Sequence, residues 1–438
     1  MITSQKINFM KIRKFLLLSS MAWCMTPVFA QDVHKIISEE TVQRLVSTLA
    51  SDAMQGRKIF TPYIDSAAAF IASEFENAGL KKWNQSEDYF QNFHLQKAEL
   101  LRASGSINQK EIEASNIIPV STKTSLTLNE QSGYRFIQME SGKNLLREAY
   151  GIVQENKNTL VQIPTSYASE FNRIKRLNRS GFESAHDVLF VLSDAEFSTY
   201  QFQIEQRIEK SPLNNVIGYL PGKSKPNEYV VFSAHYDHLG IGKPNEAGDS
   251  IYNGANDNAT GTTAVMMLAK YFGSLQNNER SILFVAFTGE ESGGFGSRYF
   301  SSQLNPDDVV AMFNIEMIGT ESKWGKNSVY ITGFEKSDFG SILQKNVVGS
   351  EFRFEPDPYP QQQLFYRSDN ATLAALGVPA HSISTAKMEN EKYYHTADDE
   401  IENIDIPNMT SIIKAILLSS TSIIQAKDTP SRVEALER

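Results

Sequence analysis

The sequence of 438 residues contains a single cysteine, Cys24. It lies in an opening segment where Lys11, Arg13 and Lys14 precede the apolar stretch "FLLLSSMAWCMTPVFA". This pattern predicts that residues 1–30 are an export signal that is removed. The exported chain then holds no cysteine, which excludes disulfide bonds and thiolate metal sites. Any metal ion must be bound by histidine, aspartate or glutamate.

The opening segment also lacks an uninterrupted apolar run long enough to span a membrane. A spanning helix needs about 20 apolar residues, and this run is interrupted by Ser19, Ser20 and Pro27. A membrane anchor is therefore the disfavoured alternative to a removed signal. Lipid attachment at Cys24 is disfavoured because the bulky Trp23 precedes it. We expect an exported protein, periplasmic or secreted, with no integral membrane segment after signal removal.

An excess of positive charge is absent as well. The chain has 42 lysines and arginines against 51 aspartates and glutamates, a net charge of −9. Residues 1–30 carry four positive charges and no acid, so the exported chain has −9 − 4 = −13. A nucleic-acid-binding protein needs the opposite sign to pair with phosphates. Nucleic acid is therefore not an expected partner.

The exported chain opens with helical spacing. "SEETVQRLVSTLA" begins with a capping-box pattern at Ser38, and "DSAAAFIASEFENAGL" ends at a helix-stopping glycine, so we predict two helices. Residues 95–212 change to short alternating stretches such as "HDVLFVLSD", with a basic "NRIKRLNRS", which predicts an inserted, mostly β module. Residues 428–438 are expected to form a loose tail.

The remainder of the chain has an α/β pattern. "EYVVFSAHYD", "RSILFVAFTGEE", "DVVAMFNIEMIG" and "GVPAHSIS" are near-continuous apolar runs, which are typical of strands buried on both faces. Helical segments such as "ATGTTAVMMLAKYFGSL" separate or follow them. We predict an α/β fold with a mostly parallel mixed sheet sandwiched by helices, formed by residues 31–94 and 213–427.

Polar residues with metal-binding chemistry follow these strands, where sites gather in α/β sheets. "SAHYDHLG" places His235 and Asp237 two residues apart, and Asp237 could accept a hydrogen bond from the ring of a metal-bound His235. A lone histidine in this position is more often simply buried. His238 fits a loop or supporting role better than a ligand. "GANDNATG" contains Asp257, for which a turn before a helix is the alternative.

Three further stretches complete the set. "NIEMIG" embeds Glu316 in an apolar strand, where a carboxylate needs a partner, and "YYHTADDE" supplies His395. "FTGEESGG" sets Glu290 beside Glu291, and neighbouring side chains that leave a strand point in different directions. Two histidines and four carboxylates form the ligand set of two zinc ions plus one spare acid. One glutamate can bind metal while its neighbour moves protons.

These stretches resemble, in order and spacing, the motifs of the family-28 zinc metallopeptidases, which include bacterial aminopeptidases and glutamate carboxypeptidase. "LASDAMQGRK" and "NNVIGYLPG" also look like that family, and the similarity covers roughly residues 38–90 and 213–420. Five ordered motifs are specific, whereas any one of them is weak. The resemblance implies an exopeptidase with two Zn²⁺ ions that acts on peptide substrates, with aminopeptidase action as the first expectation.

The resemblance also implies a role for each site residue. One zinc would be held by His235 and Glu316, the other by Glu291 and His395, and Asp257 would bridge both. The remaining implied roles are a general base at Glu290, a hydrogen-bond donor to the tetrahedral intermediate at Tyr394, and a supporting position behind the ligands at Asp237. A cis peptide bond between Asp257 and Asn258 is also implied.

The chain departs from the family pattern at two positions. Position 316 is usually aspartate, and Glu316 is longer by one carbon–carbon bond, roughly 1.5 Å. Asn370 replaces a histidine that often follows Ser-Asp near the substrate pocket. The inserted module lies where some members carry a protease-associated domain. A single-zinc glutaminyl cyclase, a carboxypeptidase or dipeptidase, and a non-catalytic binding protein on the same fold stay open as alternatives.

Overall fold

The computed structural model of the chain describes Met1, Val33 and residues 35–436. The predicted export signal, residues 1–30 with Cys24, lies outside the described residues except for Met1. The chain forms two compact units, one of residues 1–91 with 214–438 and one of residues 92–213. In the described part of the chain, no helix combines the length and apolarity that a membrane crossing requires.

Helices and strands are numbered here along the described chain. The α-helices are α1 (Glu39–Leu49), α2 (Pro62–Asn77), α3 (Leu145–Gln154), α4 (Thr260–Leu275), α5 (Phe295–Ser302), α6 (Phe339–Asn346), α7 (Asn370–Ala374) and α8 (Ile406–Ile424). The strands are β1 (Lys81–Lys82), β2 (Phe90–Ile107), β3 (Lys110–Ile112), β4 (Ile117–Val120), β5 (Ser125–Asn129), β6 (Arg135–Gln138), β7 (Thr159–Ile163), β8 (Val188–Leu192), β9 (Tyr200–Leu220), β10 (Lys225–His235), β11 (Gly240–Ile241), β12 (Ile251–Tyr252), β13 (Arg280–Phe287), β14 (Val309–Glu316), β15 (Ser328–Ile331), β16 (Arg353–Pro356) and β17 (Ala380–Ser384).

The larger unit is built on a mixed sheet with the strand order β16-β15-β17-β14-β10-β13-β9. The central strands β13, β10, β14 and β17 are parallel to one another, whereas β9 and β15 run antiparallel to their neighbours β13 and β17. The four apolar runs identified in the sequence are these four central strands. The predicted α/β fold with a mostly parallel mixed sheet is therefore confirmed.

The two faces of this sheet are covered by different elements. Along β10, Val230 and Phe232 pack in a core cluster with helices α1, α2, α4 and α8, whereas Val231 packs in a second cluster with residues of α5 and α7. Successive strand residues point to opposite faces, so burial on both faces requires the continuous apolar runs. Helix α1 begins at Ser38, whose hydroxyl accepts a hydrogen bond from the backbone N–H of Thr41 at 3.3 Å, as the capping pattern predicts.

The expectation of a loose tail after Lys427 is wrong for the described residues up to 436. The guanidinium of Arg280 donates to the backbone carbonyl of Asp428 at 2.7 Å. Val433 is buried in the core cluster on the α5 and α7 face, and its N–H donates to the carbonyl of Gly377 at 3.1 Å. An apolar side chain and backbone hydrogen bonds therefore hold a segment whose local sequence has no periodic pattern.

The unit of residues 92–213 has a core of its own. Its four-stranded sheet has the order β4-β8-β7-β6, with β7 parallel to both neighbours and β4 antiparallel to β8. Helix α3 and a 3₁₀ helix, Phe171–Leu177, pack against one face of this sheet. The unit is thus mostly β and also contains a helical layer.

Candidate active site

The carboxyl ends of the central strands bring the predicted site residues together. His235 is the last residue of β10 and Glu316 the last of β14, while Glu290 and Glu291 follow the end of β13. Parallel strands place their carboxyl ends at one edge of a sheet. The register pairs His235 with the end of β13, so these side chains arise from adjacent positions.

Asp257 lies between two histidines. Its Oδ1 is 3.2 Å from Nε2 of His235, and its Oδ2 is 3.2 Å from Nε2 of His395. Burial alone would raise the pKa of this carboxyl group, but the two histidines outweigh it and hold the pKa well below the usual range. A carboxylate whose two oxygens face two different imidazoles has the geometry of a bridge between two cations.

Backbone contacts hold Asp257 in place. The carboxylate of Asp399 accepts hydrogen bonds from the backbone N–H of Asn256 at 2.8 Å and of Asp257 at 2.9 Å. The peptide bond between Asp257 and Asn258 is cis, as the resemblance implies. Asp399 stands in the stretch "YYHTADDE", but the sequence alone predicts no role for it, because its contact depends on a segment about 140 residues away.

Glu316 completes the first group despite its extra methylene. Its Oε1 is 3.3 Å from Nε2 of His235, and its Oε2 accepts a 2.8 Å hydrogen bond from the hydroxyl of Ser368. His235, Asp257 and Glu316 each offer one ligand atom, and these atoms lie within 4.8 Å of one another. The longer side chain therefore still places its carboxylate beside His235 and Asp257.

Glu291 and His395 form the second group together with Asp257. Oε2 of Glu291 is 3.1 Å from Nε2 of His395. His238, which the sequence suggested was a loop or supporting residue, is buried, and its Nδ1 lies 2.8 Å from Oε1 of Glu291. His238, Asp257 and Glu291 also satisfy the 4.8 Å spacing of a metal-binding group. Two histidines, His238 and His395, therefore contact Glu291, whereas the sequence predicted only His395.

Asp237 does not make the predicted contact with His235. Nδ1 of His235 is 3.1 Å from the backbone carbonyl of Asp237 and 3.8 Å from its carboxylate. The carboxylate of Asp237 instead accepts a 3.0 Å hydrogen bond from the backbone N–H of Glu290. The residue still supports the site, but its main chain orients the imidazole while its side chain fixes the loop that carries Glu290.

Glu290 and Tyr394 line the same cavity as His235, Asp257 and Glu316. Burial raises the pKa of Glu290 well above its ordinary value, and the nearby carboxylates of Asp369 and Glu316 add to this effect, while His235 opposes it. The ring of Tyr394 stacks on His395, with centroids 3.8 Å apart. Burial and the surrounding carboxylates raise the pKa of Tyr394, so its hydroxyl keeps its proton at neutral pH.

Arg57 was not singled out from the sequence, although it stands in the quoted stretch "LASDAMQGRK". It is completely buried, and its guanidinium donates to the backbone carbonyls of Leu49, Tyr236, Asn253 and Gly254 at 2.6 to 2.9 Å. Two of these segments carry His235 and Asp257. Arg57 therefore ties the end of α1 to both ligand-bearing loops.

The donor set fits zinc. Several buried polar atoms lack a partner in hydrogen-bond geometry among the described residues, namely Nε2 of His395, Oε1 of Glu291 and both ring nitrogens of His238. They nevertheless lie close to other ligand atoms, which is the arrangement expected of groups that converge on a cation. Imidazole and carboxylate without thiolate are zinc ligands in catalytic sites.

The electrostatics agree with this assignment. Burial lowers the pKa of His395, but Asp257 and Glu291 outweigh burial and raise this pKa to about 10. Glu316 and Asp257 likewise raise the pKa of His235 well above its usual value against the effect of burial. The carboxylates therefore stabilise positive charge at the site. In the metal-free chain that charge is carried by protons on the histidines, and metal cations can replace those protons.

Comparisons with known proteins agree with this geometry. A family model described as peptidase family M28 matches residues 215–419. A probable leucine aminopeptidase of Trichophyton verrucosum is 26% identical over 271 residues, 59% of this chain and 71% of that protein. Transferrin receptor protein 2 of Homo sapiens is 27% identical over 218 residues, 44% of this chain but 25% of the receptor.

A solved structure supports the fold. An aminopeptidase from an Aneurinibacillus strain matches 93% of this chain and 97% of its own with a TM-score of 0.53 and 15% identity. The family match covers the strands and loops that carry all the predicted zinc ligands, from His235 to His395. Residues 215–419 therefore match peptidase family M28, and the comparisons support a zinc metallopeptidase.

Proposed function

We propose that the protein is an exported aminopeptidase that holds two zinc ions per chain and releases N-terminal residues from peptides. The observation that carries the two-metal assignment is Asp257, whose two carboxylate oxygens each lie 3.2 Å from a different histidine. Glu316 accompanies His235 and Glu291 accompanies His395, so each imidazole has a carboxylate of its own besides the shared one.

Bound zinc would supply Lewis-acid polarisation of the scissile carbonyl and make hydroxide available near neutral pH. Glu290 then serves as general base, taking the proton from the attacking water and passing it to the leaving amine. The hydrogen bond from its backbone N–H to Asp237 fixes the loop on which it stands. The hydroxyl of Tyr394 donates a hydrogen bond to the oxygen on which negative charge develops.

Aminopeptidase action is supported by the similarity to relatives described as aminopeptidases, including the probable leucine aminopeptidase. The cavity beside the metal group also has an apolar wall that contains Met317, Leu364 and Met388, which suits an apolar side chain of the terminal residue. Export is supported by the signal pattern of residues 1–30, because the basic residues, apolar run and small residues occur in that order.

The proposal is tested by assaying purified protein on reporter substrates with a free aminoacyl end and on matched substrates with a free carboxyl end, with and without added zinc. Metal content is measured on the same preparation. We expect two zinc ions per chain and cleavage of the aminoacyl reporters alone. One zinc together with cyclisation of N-terminal glutamine would instead identify a glutaminyl cyclase, and a protein without metal or activity would identify a binding protein.

A series of variants tests whether Glu316, which stands where the family usually has aspartate, binds zinc. Glu316→Ala should lose one zinc, whereas Glu316→Asp should keep both and retain activity if the backbone moves by the missing methylene. Retention of both metals by Glu316→Ala would refute the assignment of Glu316 as a ligand.

A further inference from the structure

The unit of residues 92–213 contains a cavity that has no part in the zinc site. Its volume is about 500 Å³, which falls within the range of roughly 300–1,000 Å³ that small-molecule sites occupy. Helix α3 and the 3₁₀ helix Phe171–Leu177 contribute its lining. The basic stretch "NRIKRLNRS", for which the peptidase function has no use, forms one side of it.

The charge of this cavity is opposite to that of the chain. Its lining includes Arg147, Arg173, Arg176 and Arg179 but no aspartate or glutamate, although the whole chain carries a net charge of −9. Arg173 and Arg176 stand three residues apart in a 3₁₀ helix, where side chains at that spacing lie on the same face. The arginines are therefore concentrated on one surface by the local geometry.

These guanidinium groups are largely available. Arg173 pairs with Glu170 at 2.6 Å, but both side chains are about half exposed (48% and 47%), and such surface pairs are weak. Arg179 donates to the backbone carbonyl of Arg176 at 3.0 Å. Among the described residues, no carboxylate lies within ion-pair distance of Arg147, Arg176 or Arg179.

The cavity also has an apolar wall. Leu146, Tyr150 and Val153 occupy one face of α3 at spacings of four and three residues, and Leu177 adds to the same lining. Tyr150 is 56% exposed, so its ring is accessible to a ligand in the cavity. A ligand that fills this space must offer apolar groups as well as negative charge.

We propose that this cavity binds an acidic peptide segment in which glutamate or aspartate alternates with apolar residues. The planar guanidinium group matches the two oxygens of a carboxylate and forms paired hydrogen bonds with it. Phosphate satisfies the same groups but leaves the wall of Leu146, Tyr150 and Val153 in contact with water. A peptide with carboxylates and apolar side chains covers both kinds of surface.

The test measures binding of a fluorescent peptide Glu-Leu-Glu-Glu-Leu-Glu, acetylated at its amino end and amidated at its carboxyl end, to the zinc-loaded full chain. Both ends are blocked so that an exopeptidase site cannot use them, and mass spectrometry checks that the peptide stays intact. A peptide with glutamine in place of every glutamate is the matched probe. We expect the acidic peptide to bind, its affinity to fall with added salt, and the glutamine peptide to bind at least about tenfold more weakly.

Two exchanges locate the site. The double variant Arg147→Gln/Arg176→Gln should weaken binding of the acidic peptide by about tenfold or more, since each residue forms a charged pair. Arg102→Gln, an exposed arginine of the same unit that lies outside the cavity lining, should change affinity by less than about twofold. All three arginines are exposed, and thermal unfolding checks that each variant remains folded.

Other outcomes overturn the proposal. Equal binding of the two peptides would mean that the apolar wall alone recognises the ligand. Equal losses in the double variant and in Arg102→Gln would show a diffuse effect of charge rather than a site. Binding of inorganic tripolyphosphate without binding of the acidic peptide would assign the cavity to phosphate.

Discussion

The hydroxyl of Ser368 donates a 2.8 Å hydrogen bond to Oε2 of Glu316. The other oxygen of this carboxylate, Oε1, faces Nε2 of His235 at 3.3 Å. A glutamate side chain has one more rotatable bond than the aspartate usual at this position, so it gains from a second contact that fixes its orientation. Ser368 supplies that contact from the segment just before α7.

Removing the hydroxyl of Ser368 should lower the affinity for the zinc ion that we propose is bound by His235 and Glu316. A hydrogen bond that orients a metal ligand typically contributes about tenfold in affinity or more, so we expect Ser368→Ala to bind zinc about tenfold more weakly and to regain activity when zinc is added. Competition with a chelator measures the affinity. Ser302→Ala, an exposed serine of α5, is the control and should match the wild type. Equal affinity in both variants would contradict this role of Ser368.

Changing Glu290 to glutamine should lower the catalytic rate, whereas changing Glu291 to glutamine should lower the zinc content. Glu290→Gln removes the general base, which typically contributes about 10²–10⁴-fold in rate, while metal content stays near that of the wild type. Glu291→Gln replaces an anionic ligand with a neutral amide, so zinc should be lost and added metal should restore part of the activity. The measurements are kcat and zinc content. Similar metal loss in both variants would contradict the assignment of separate roles to the two carboxylates.

His238 and His395 both approach Glu291, and their rings lie 5.8 Å apart between centroids. Because His395 also faces Asp257 at 3.2 Å, we expect His395→Ala to lose one zinc per chain. His238→Ala should keep both ions with affinity lowered by about tenfold, as for a residue that orients a ligand. Elemental analysis after dialysis distinguishes the variants. If His238→Ala alone lost an ion, the two histidines would exchange roles.

Asp369 predicts a pH effect on stability in the metal-free protein. It is buried, and burial raises its pKa to about 7 against the opposing effects of His235 and of the hydroxyl of Ser297. A folded pKa above the unfolded value of about 3.9 means that this group favours folding at low pH, and that this contribution is lost as pH rises from about 4 to 7.

Asp369→Asn should therefore gain stability relative to the wild type as pH rises through this window, by at most about 4 kcal/mol. Urea unfolding between pH 4 and pH 8 measures the difference. The exposed Asp307→Asn is the control and should show no such trend. A stability difference that is independent of pH would mean that Asp369 is already charged in the folded protein at pH 4.

Arg57 should matter more for stability than any exposed arginine. Arg57→Met leaves four carbonyl groups without their donor in a buried place, so we expect a loss of about 3–5 kcal/mol in unfolding free energy. Arg57→Lys keeps the charge but cannot reach all four carbonyls, and should be intermediate. Arg44→Met breaks a half-exposed ion pair with Glu74 and should cost less than about 1 kcal/mol. Similar losses for Arg57→Met and Arg44→Met would contradict the structural role of Arg57.

The central strands and the helices that cover them can be predicted from local sequence patterns. Strands β10, β13 and β14 are buried on both faces, so their apolar runs are continuous and easily recognised. Candidate ligands could be found for the same reason, since His235 and Glu316 directly end such runs and His395 stands in a polar stretch that resembles a family motif. These are local properties, carried by residues that are neighbours in the chain.

Which side chains come into contact depends on the tertiary structure. Ser368 contacts Glu316, Arg57 contacts the loops before Asp237 and Asp257, and His238 approaches Glu291. It also showed that the carbonyl of Asp237, rather than its carboxylate, faces His235, and that Val433 anchors the end of the chain. Each of these contacts joins groups by packing and backbone direction. Hydrophobic periodicity reports the buried face of one segment and has no information about the segment that comes to lie opposite.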